Sequence, residues 1–148
     1  MEKYIVPGLP TPYFVVDESL LIKNLEILKS VCDRAGCKIL LAQKAFSMYR
    51  TYPLISRYLY GTTASGLHEA RLGKEEFPGE THVFSPAYRE DEFEELLTYA
   101  DHFVFNSPRQ VEKFGMRAKK AGKQIGLRIN PQCSTQEGHE IYDPCADG

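Results

Sequence analysis

A single lysine follows an apolar run in the stretch KILLAQKAFSMYR, residues 38–50. The run ILLA (39–42) is short enough to be a buried strand, and Lys44 comes two residues after it. A primary amine held against apolar neighbours is partly desolvated, so more of it is neutral and able to attack a carbonyl carbon. A lysine at a strand end can also extend into water with no chemical role. Position alone therefore makes Lys44 a candidate nucleophile and leaves both interpretations open.

Strand-like and helix-like segments alternate on both sides of this lysine. The sequence predicts strands over 13–17, 39–42, 62–65, 82–85, 102–106 and 124–131. It predicts helices from Asp17 or Ser19 to about Ala35, over 52–60, 66–77 and 90–100, and from Ser107 onward. Gly36 is suited to end the first helix, and Ser107 is suited to cap the last one.

This alternation predicts an α/β fold with a parallel sheet and crossover helices. A doubly wound open sheet and a (β/α)8 barrel share the rhythm, but no strand is followed by a glycine-rich phosphate-binding loop, which favours the barrel. Because such a barrel usually needs about 250 residues and eight strands, we expect its N-terminal part, with about five βα units. We expect residues 1–37 to contribute a strand and a helix leading into the barrel, and 38–148 the partial barrel. A compact five-stranded domain is the alternative.

Charge and hydropathy exclude several classes of function. The chain has 18 Lys and Arg against 20 Asp and Glu, a net charge of −2, so it lacks the basic excess of a nucleic-acid-binding protein. No apolar run approaches the roughly 20 residues that span a bilayer, and the N-terminus lacks the basic-then-apolar pattern of a secretory signal. We therefore expect a cytoplasmic protein that binds neither nucleic acid nor membrane.

The four cysteines do not follow a metal-binding or redox pattern. Cys32 and Cys37 are separated by four residues and Cys133 and Cys145 by eleven, so reduced structural thiols are the simpler interpretation. His139 lies between the later pair and is a weak indication of a metal site. We predict no metal.

Several segments in a fixed order carry a family resemblance. Read together, TPYFVVDESLLIKNLEIL, LLAQKAF, GTTASGLHEARLG, HFVFNSPRQVEKF and GLRINPQCSTQEGHEIYDP resemble fold-type III pyridoxal-phosphate enzymes, the alanine racemase and ornithine decarboxylase group. Within that group they are similar to the carboxynorspermidine and carboxyspermidine decarboxylases. The resemblance covers nearly all 148 residues and implies a barrel followed by a β-rich C-terminal domain that this chain does not contain.

The resemblance also implies roles for individual residues. Lys44 matches the lysine that holds pyridoxal 5'-phosphate through its amine, and Arg128 matches a basic residue directed toward the cofactor. Ser65 falls in the family's AS-x-x-E segment, in which Glu69 supplies the acid. For Glu69 we favour a helix-face charge or local cap over cofactor binding. Thr62 stands where ornithine-decarboxylase-like proteins place an aspartate near the lysine.

By the same resemblance, the expected reaction is decarboxylation of a carboxylated polyamine to norspermidine or spermidine. Glu137, Glu140 and Asp143 are candidate contacts for its protonated amines. The family's remaining cofactor contacts lie downstream, and one catalytic cysteine comes from the partner subunit, which implies a homodimer. Another fold-type III amino-acid decarboxylase, a non-catalytic pyridoxal-phosphate-binding barrel and a cofactor-free Schiff-base aldolase are the alternatives.

Overall fold

The structure is a computed structural model, and it describes residues 4–133. Its first helix, α1 (Glu18–Ala35), begins where the Asp17 carboxylate accepts hydrogen bonds from the backbone of Ser19 and Leu20. It ends at Gly36, whose φ of 62° is the left-handed conformation that glycine adopts without a steric penalty. Of the two predicted caps, Asp17 is therefore the residue that starts the helix.

Five strands and five further α-helices follow α1 in the part of the chain that the structure describes. The strands are β1 (Leu40–Ala42), β2 (Gly61–Ala64), β3 (Glu80–Phe84), β4 (His102–Phe105) and β5 (Gln124–Leu127). The helices are α2 (Tyr52–Ile55), α3 (Leu67–Glu76), α4 (Glu90–Tyr99), α5 (Pro108–Gln110) and α6 (Met116–Lys120). The alternation predicted from the sequence is confirmed, and each of the five strands from β1 onward overlaps its predicted segment.

The strands form one parallel sheet in the order β1-β2-β3-β4-β5. A doubly wound sheet reverses its strand order at a switch point, whereas here each strand is added on the same side of the previous one. With right-handed crossovers, this order places every connecting helix on one face of the sheet. The arrangement is that of a barrel wall, so the predicted N-terminal part of an α/β barrel is confirmed.

Burial follows from this one-sided arrangement. In β3 and β4 the residues that point toward the helices, such as Val83 and Phe103, are fully buried, while their neighbours His82 and Val104 on the other face are only half-buried. The largest apolar cluster packs α3, α4 and the last helix against the sheet and includes Phe93, Phe103, Phe105 and Phe114. A second cluster joins α1 and α2 to β1 through Leu25, Tyr52, Ile55, Leu59 and Phe77. The opposite face of the sheet is the open one.

Four predicted elements differ from the structure. The strand predicted over 13–17 is wrong: these residues pair with no strand, and the Phe14 side chain is 98% exposed. The helix predicted over 52–60 ends at Ile55 and continues only as turns, although the Leu59 N–H still bonds to the Ile55 carbonyl. The last strand ends at Leu127, well short of the predicted residue 131. The N–H of the next residue, Arg128, makes one further backbone bond to the Phe105 carbonyl. The last helix contains a π-helical segment, Val111–Gly115, between α5 and α6.

Disulfide bonds, metal sites and membrane-spanning helices are assessed for residues 4–133 only. Cys32, Cys37 and Cys133 are free thiols there, while Cys145 and His139 lie outside that part of the chain. Within 4–133, no three His, Cys, Asp or Glu residues are grouped closely enough to bind a metal ion. The helices described in that range are all too short or too polar to cross a bilayer.

Candidate active site

A cavity of about 170 Å³ lies at the carboxyl ends of the first three strands. It is lined by Ala42, Lys44, Thr63, Ala64, Ser65 and Phe84. In parallel α/β barrels this end of the strands is where catalytic residues are found, because side chains from several strand ends converge there. The structure therefore places Lys44 and Ser65, two of the predicted site residues, in one cavity.

The position of Lys44 follows from the way β1 ends. Backbone N–H groups of Ala45 and Phe46 both donate to the Ala42 carbonyl, at 3.0 and 3.1 Å, so the chain turns immediately after the lysine. The preceding residue, Gln43, points to the helix side and is only 1% exposed. Since successive residues of an extended segment face opposite sides, Lys44 is directed toward the open face.

The Lys44 side chain is exposed, and within residues 4–133 its amine has no ion-pair partner. We expected partial desolvation of this amine from its apolar neighbours, and the described residues do not provide it. They supply a wall on one side of the lysine only. The amine is thus accessible to a carbonyl compound entering from the open face.

Ser65 is held by Glu69, the acid in the first turn of α3. The Ser65 backbone N–H donates to a Glu69 carboxylate oxygen at 2.6 Å. The charge also lies near the positive end of the helix dipole, where a carboxylate is favoured. Glu69 therefore makes a local contact at the start of α3, to the residue that precedes the N-cap Gly66. Its effect is to join the end of β2 to the start of α3 directly beside the cavity.

Arg128 contacts Phe84, one of the residues that line the cavity. Its guanidinium carbon is 5.2 Å from the centre of the Phe84 ring, a distance typical of a cation–π contact. No carboxylate among the described residues pairs with Arg128. The guanidinium stays charged and lies beside an aromatic residue that lines the Lys44 cavity.

The remaining predicted residues do not line the cavity. Thr62 points away from it and is fully buried against α3, so the side chain that faces Lys44 from the middle of β2 is that of Thr63. Thr62, which departs from the aspartate that ornithine-decarboxylase-like proteins place near the lysine, makes no contact with Lys44. Glu137, Glu140 and Asp143 lie outside the described residues, and their role in substrate binding stays a prediction.

The sequence reasoning missed three residues of the site. Thr63 and Phe84 lie at positions that strand alternation assigns to the same face as Lys44, so applying the two-residue period to each strand end identifies them. Gln43 lies between the apolar run and Lys44 and was assigned no role from the sequence. A polar side chain inside an otherwise apolar segment is a signal of a buried hydrogen-bond network, because burying an amide without partners is costly.

At the opposite, amino-terminal end of the strands lies a separate histidine pair. The rings of His82 and His102 stack with centroids 4.8 Å apart, and His82 Nε2 lies 2.9 Å from a Glu80 carboxylate oxygen. Lys38 pairs with the same carboxylate. Burial, and then the neighbouring His82, lower the pKa of His102. The bonds from Lys38 and His82 lower the pKa of Glu80.

Comparison with known proteins adds sequence relatives to this geometry. The chain is 40% identical over 136 residues to carboxynorspermidine/carboxyspermidine decarboxylase of Herminiimonas arsenicoxydans, covering 92% of this chain and 36% of that protein. It is 37% identical over 148 residues to carboxyaminopropylagmatine decarboxylase of Synechocystis, covering all of this chain and 38% of that protein. The chain spans about a third of the length of the curated relatives it matches. No family model matches the chain.

A solved structure supports the same relationship. The crystal structure of carboxynorspermidine decarboxylase from Campylobacter jejuni, complexed with norspermidine, superposes with a TM-score of 0.77 at 41% identity. The superposition covers 81% of this chain and 32% of that one. In sequence and in fold, the chain is therefore similar to about a third of a carboxynorspermidine/carboxyspermidine decarboxylase.

Proposed function

We propose that the chain is part of a pyridoxal-phosphate-dependent decarboxylase that acts on carboxynorspermidine or carboxyspermidine. The observation that carries the proposal is the accessible Lys44 amine in a cavity at the carboxyl end of the sheet. Support comes from relatives about 40% identical that are named as this decarboxylase. The reaction belongs to polyamine biosynthesis, and we propose a cytoplasmic enzyme.

The described residues fit one side of a pyridoxal-phosphate site. Lys44 offers the primary amine that the cofactor's aldehyde requires, and the Arg128 cation, which no described carboxylate neutralises, would lie near its negative charges. Phe84 lines the cavity with Lys44 and contacts the Arg128 guanidinium with its ring. When bound, the cofactor supplies an electron sink for the pair released as carbon dioxide leaves.

The chain's own residues would bind and orient. Lys44 would hold the cofactor through its primary amine at the mouth of the cavity. Arg128 would hold negative charge at the open face, and the contact between Glu69 and Ser65 would keep the end of β2 in place. Phe84 and Ala42 would exclude water from one wall of the cavity.

The proposed substrate is a long aliphatic cation bearing one carboxylate. The relatives are named for carboxylated amines of this kind, and the similar crystal structure contains norspermidine. In the family that the sequence resembles, a cysteine from a second subunit completes the active site. The proposal therefore includes a homodimer of the complete protein. Both statements depend on regions beyond residues 4–133.

Glu137, Glu140 and Asp143 are proposed to attract the protonated amines of this substrate. Replacing all three by Gln, Gln and Asn should raise KM, because three negative charges near the entrance would be lost, while kcat should change much less. The measurement is steady-state kinetics at low and at high salt, since screening weakens such attraction. An unchanged KM for the triple variant would end this part of the proposal.

The test of the cofactor proposal is borohydride trapping on the protein expressed from its full reading frame. After incubation with pyridoxal phosphate and reduction, peptide mapping should find the label on Lys44. Lys44→Arg should abolish the label and the release of carbon dioxide while keeping the positive charge. Lys38→Arg is the matched control, because Lys38 belongs to the same segment but pairs with Glu80 at the other end of the sheet.

The pattern of labelling decides the outcome. Label confined to Lys44 and insensitive to Lys38→Arg supports the proposal. Label spread over surface lysines, or none, means that Lys44 is only a strand-end lysine. Trapping of a carbonyl substrate at Lys44 without pyridoxal phosphate would favour the cofactor-free aldolase instead.

A further inference from the structure

The side chain adjacent to Lys44 in sequence is a fully buried amide with two hydrogen-bond partners. Gln43 is 1% exposed. The Tyr52 hydroxyl donates to its Oε1 at 3.2 Å, and its Nε2 donates to the Glu69 carbonyl oxygen at 2.8 Å. Burial, and then the nearby Glu69, raise the pKa of Tyr52, which keeps this hydroxyl protonated as a donor. The amide is thus held from both ends, by α2 and by α3.

These bonds fix the backbone from which Lys44 extends. The Gln43 N–H donates to the Thr63 carbonyl at 3.2 Å, which continues the pairing of β1 with β2 up to the lysine. The turn that closes on the Ala42 carbonyl follows at once. Lys44 therefore lies between a residue immobilised on the helix side and a hydrogen-bonded turn. The backbone on both sides of Lys44 is thus fixed by hydrogen bonds.

Glu69 extends the same network to the second strand end of the cavity. Its backbone carbonyl accepts from Gln43, and its carboxylate accepts from the Ser65 N–H. One residue of α3 thereby holds both strand ends that contribute Lys44 and Ser65. Two hydrogen bonds through Glu69 therefore link Gln43 to Ser65.

Stability alone does not account for a polar residue here. Replacing the Tyr52–Gln43 pair by a phenylalanine–leucine pair of similar shape can be nearly neutral in stability, because both partners of that bond are removed together, and the Glu69 carbonyl then loses only its bond from Gln43. An apolar residue would fill the space between β1 and α3. What an apolar residue would not provide is a directional bond to the helix that also carries the Ser65 contact.

We propose that Gln43 is a positioning residue. By bonding to Tyr52 and Glu69, it directs the Lys44 side chain into the cavity and holds Ser65 at a fixed position relative to Lys44. The inference rests on the proposed function insofar as the aim of the Lys44 amine matters for catalysis. The hydrogen-bond network itself does not depend on the cofactor.

The experiment compares three variants of the protein expressed from its full reading frame. Gln43→Leu removes both bonds but leaves the Tyr52 hydroxyl buried without its acceptor. The double variant Gln43→Leu/Tyr52→Phe removes that defect as well. Tyr88→Phe is the control, since the half-buried Tyr88 hydroxyl donates to the carbonyls of Val83 and Val104 at 3.0 and 2.9 Å, within the larger apolar cluster around α4 and β4 rather than beside Gln43.

Three measurements separate positioning from stability. Hydrogen exchange over residues 61–66 reports the Ser65 amide, and competitive acylation reports the Lys44 amine relative to Lys38 and Lys74 without any cofactor. Steady-state kinetics then gives kcat and KM. For the double variant we expect a Tm near that of the wild type, faster Ser65 exchange, altered Lys44 acylation, and kcat lower by about tenfold or more with KM within about threefold. Tyr88→Phe should change Tm only.

Each outcome decides one of the two proposals. If the double variant leaves exchange and acylation unchanged, Gln43 positions nothing and the inference is overturned, whether or not pyridoxal phosphate is bound. If exchange and acylation change but the wild type shows no trapped cofactor on Lys44, the network is supported and the proposed function fails.

Discussion

At the residue scale, the chemistry of the site is partly readable from the sequence. The position of Lys44 after an apolar run makes it a candidate, and the family resemblance gives Lys44, Arg128 and Ser65 their roles. Gln43 is not identifiable in this way, because its role depends on the placement of Tyr52 and Glu69, which are nine and 26 residues away in sequence. Thr62 faces the helices rather than the lysine, because successive side chains of β2 point to opposite faces of the sheet and Thr63 occupies the cavity side.

His102 provides a prediction about pH. Its pKa is lowered in the folded protein, by burial first and by His82 second, so the unfolded chain binds this proton more readily than the folded one. Its contribution to stability is therefore complete above its ordinary pKa of 6.5 and is lost as the pH falls below that value. The facing groups are His82 and Glu80, with the backbone of Gly126 on the other side.

We expect His102→Gln to reduce the loss of stability between pH 6.5 and pH 5, measured as Tm across that range on the full reading-frame protein. The change should be at most a few degrees, because solvent reaches part of the ring. The Glu80 carboxyl contributes at lower pH, since its pKa is lowered from 4.5. His68→Gln, on the exposed surface of α3, is the control and should leave the curve unchanged. A His102→Gln curve parallel to the wild type would contradict the prediction.

At the element scale, the order and type of the segments are predictable from the sequence but their contacts are not. Periodicity locates α1, α3 and α4, and the caps Asp17, Gly36 and Ser107 all act as their residue types suggest. The strand expected over 13–17 is absent because an apolar, β-branched segment becomes a strand only when a neighbour supplies its hydrogen bonds. The π-helical segment has no sequence signal that we recognise.

Gly73 shows why a helix tolerates a residue that its propensity disfavours. It is buried in α3, and a Cβ added there would lie 2.4 Å from Thr62 Oγ1 and 3.1 Å from Gln43 Nε2. The glycine therefore allows α3 to approach β2 and the amide that neighbours Lys44. Glycine at this position costs about 1 kcal/mol in helix propensity relative to alanine, but the close approach of α3 to β2 leaves no room for a Cβ.

Gly73→Ala should lower the free energy of unfolding, because overpacking costs about 1–3 kcal/mol and outweighs the gain in helix propensity. The Thr62 hydroxyl is buried without a partner among the described residues, so Thr62→Ala removes the clashing atom at little polar cost. The double variant should recover part of the loss, which a double-mutant cycle by urea denaturation would measure. A Gly73→Ala protein as stable as the wild type would show that α3 can move without penalty.

At the scale of the whole molecule, strand order gives the most information about function. A doubly wound sheet and a barrel compete as folds on sequence grounds, and the sequential order β1 to β5 resolves them in favour of a barrel wall. Composition and periodicity do not encode strand order, which depends on how the crossovers pack. The consequence is a face lined by Lys44, Thr63, Ser65, Phe84 and Arg128 that helices do not cover.

That open face leads to a prediction about the 148-residue chain by itself. Its described residues build one wall around Lys44, leave the lysine exposed, and correspond to about a third of each relative. Electrostatic stabilisation of a transition state is strong only where water is excluded and the donors are fixed. We therefore expect residues 1–148 alone to release carbon dioxide from carboxynorspermidine at least about a hundredfold more slowly than the Campylobacter jejuni decarboxylase in the same assay.

The same assay contains its own control. Lys44→Arg in the 148-residue chain sets the background rate, and the unmodified chain should not exceed it by more than a small factor, even if borohydride still fixes pyridoxal phosphate to Lys44. Trapping without turnover would mean that the amine is correctly presented and that the missing contribution is the enclosure of the site. Turnover near that of the Campylobacter jejuni enzyme would instead mean that one wall of the barrel suffices for the reaction, and would overturn the role assigned here to exclusion of water.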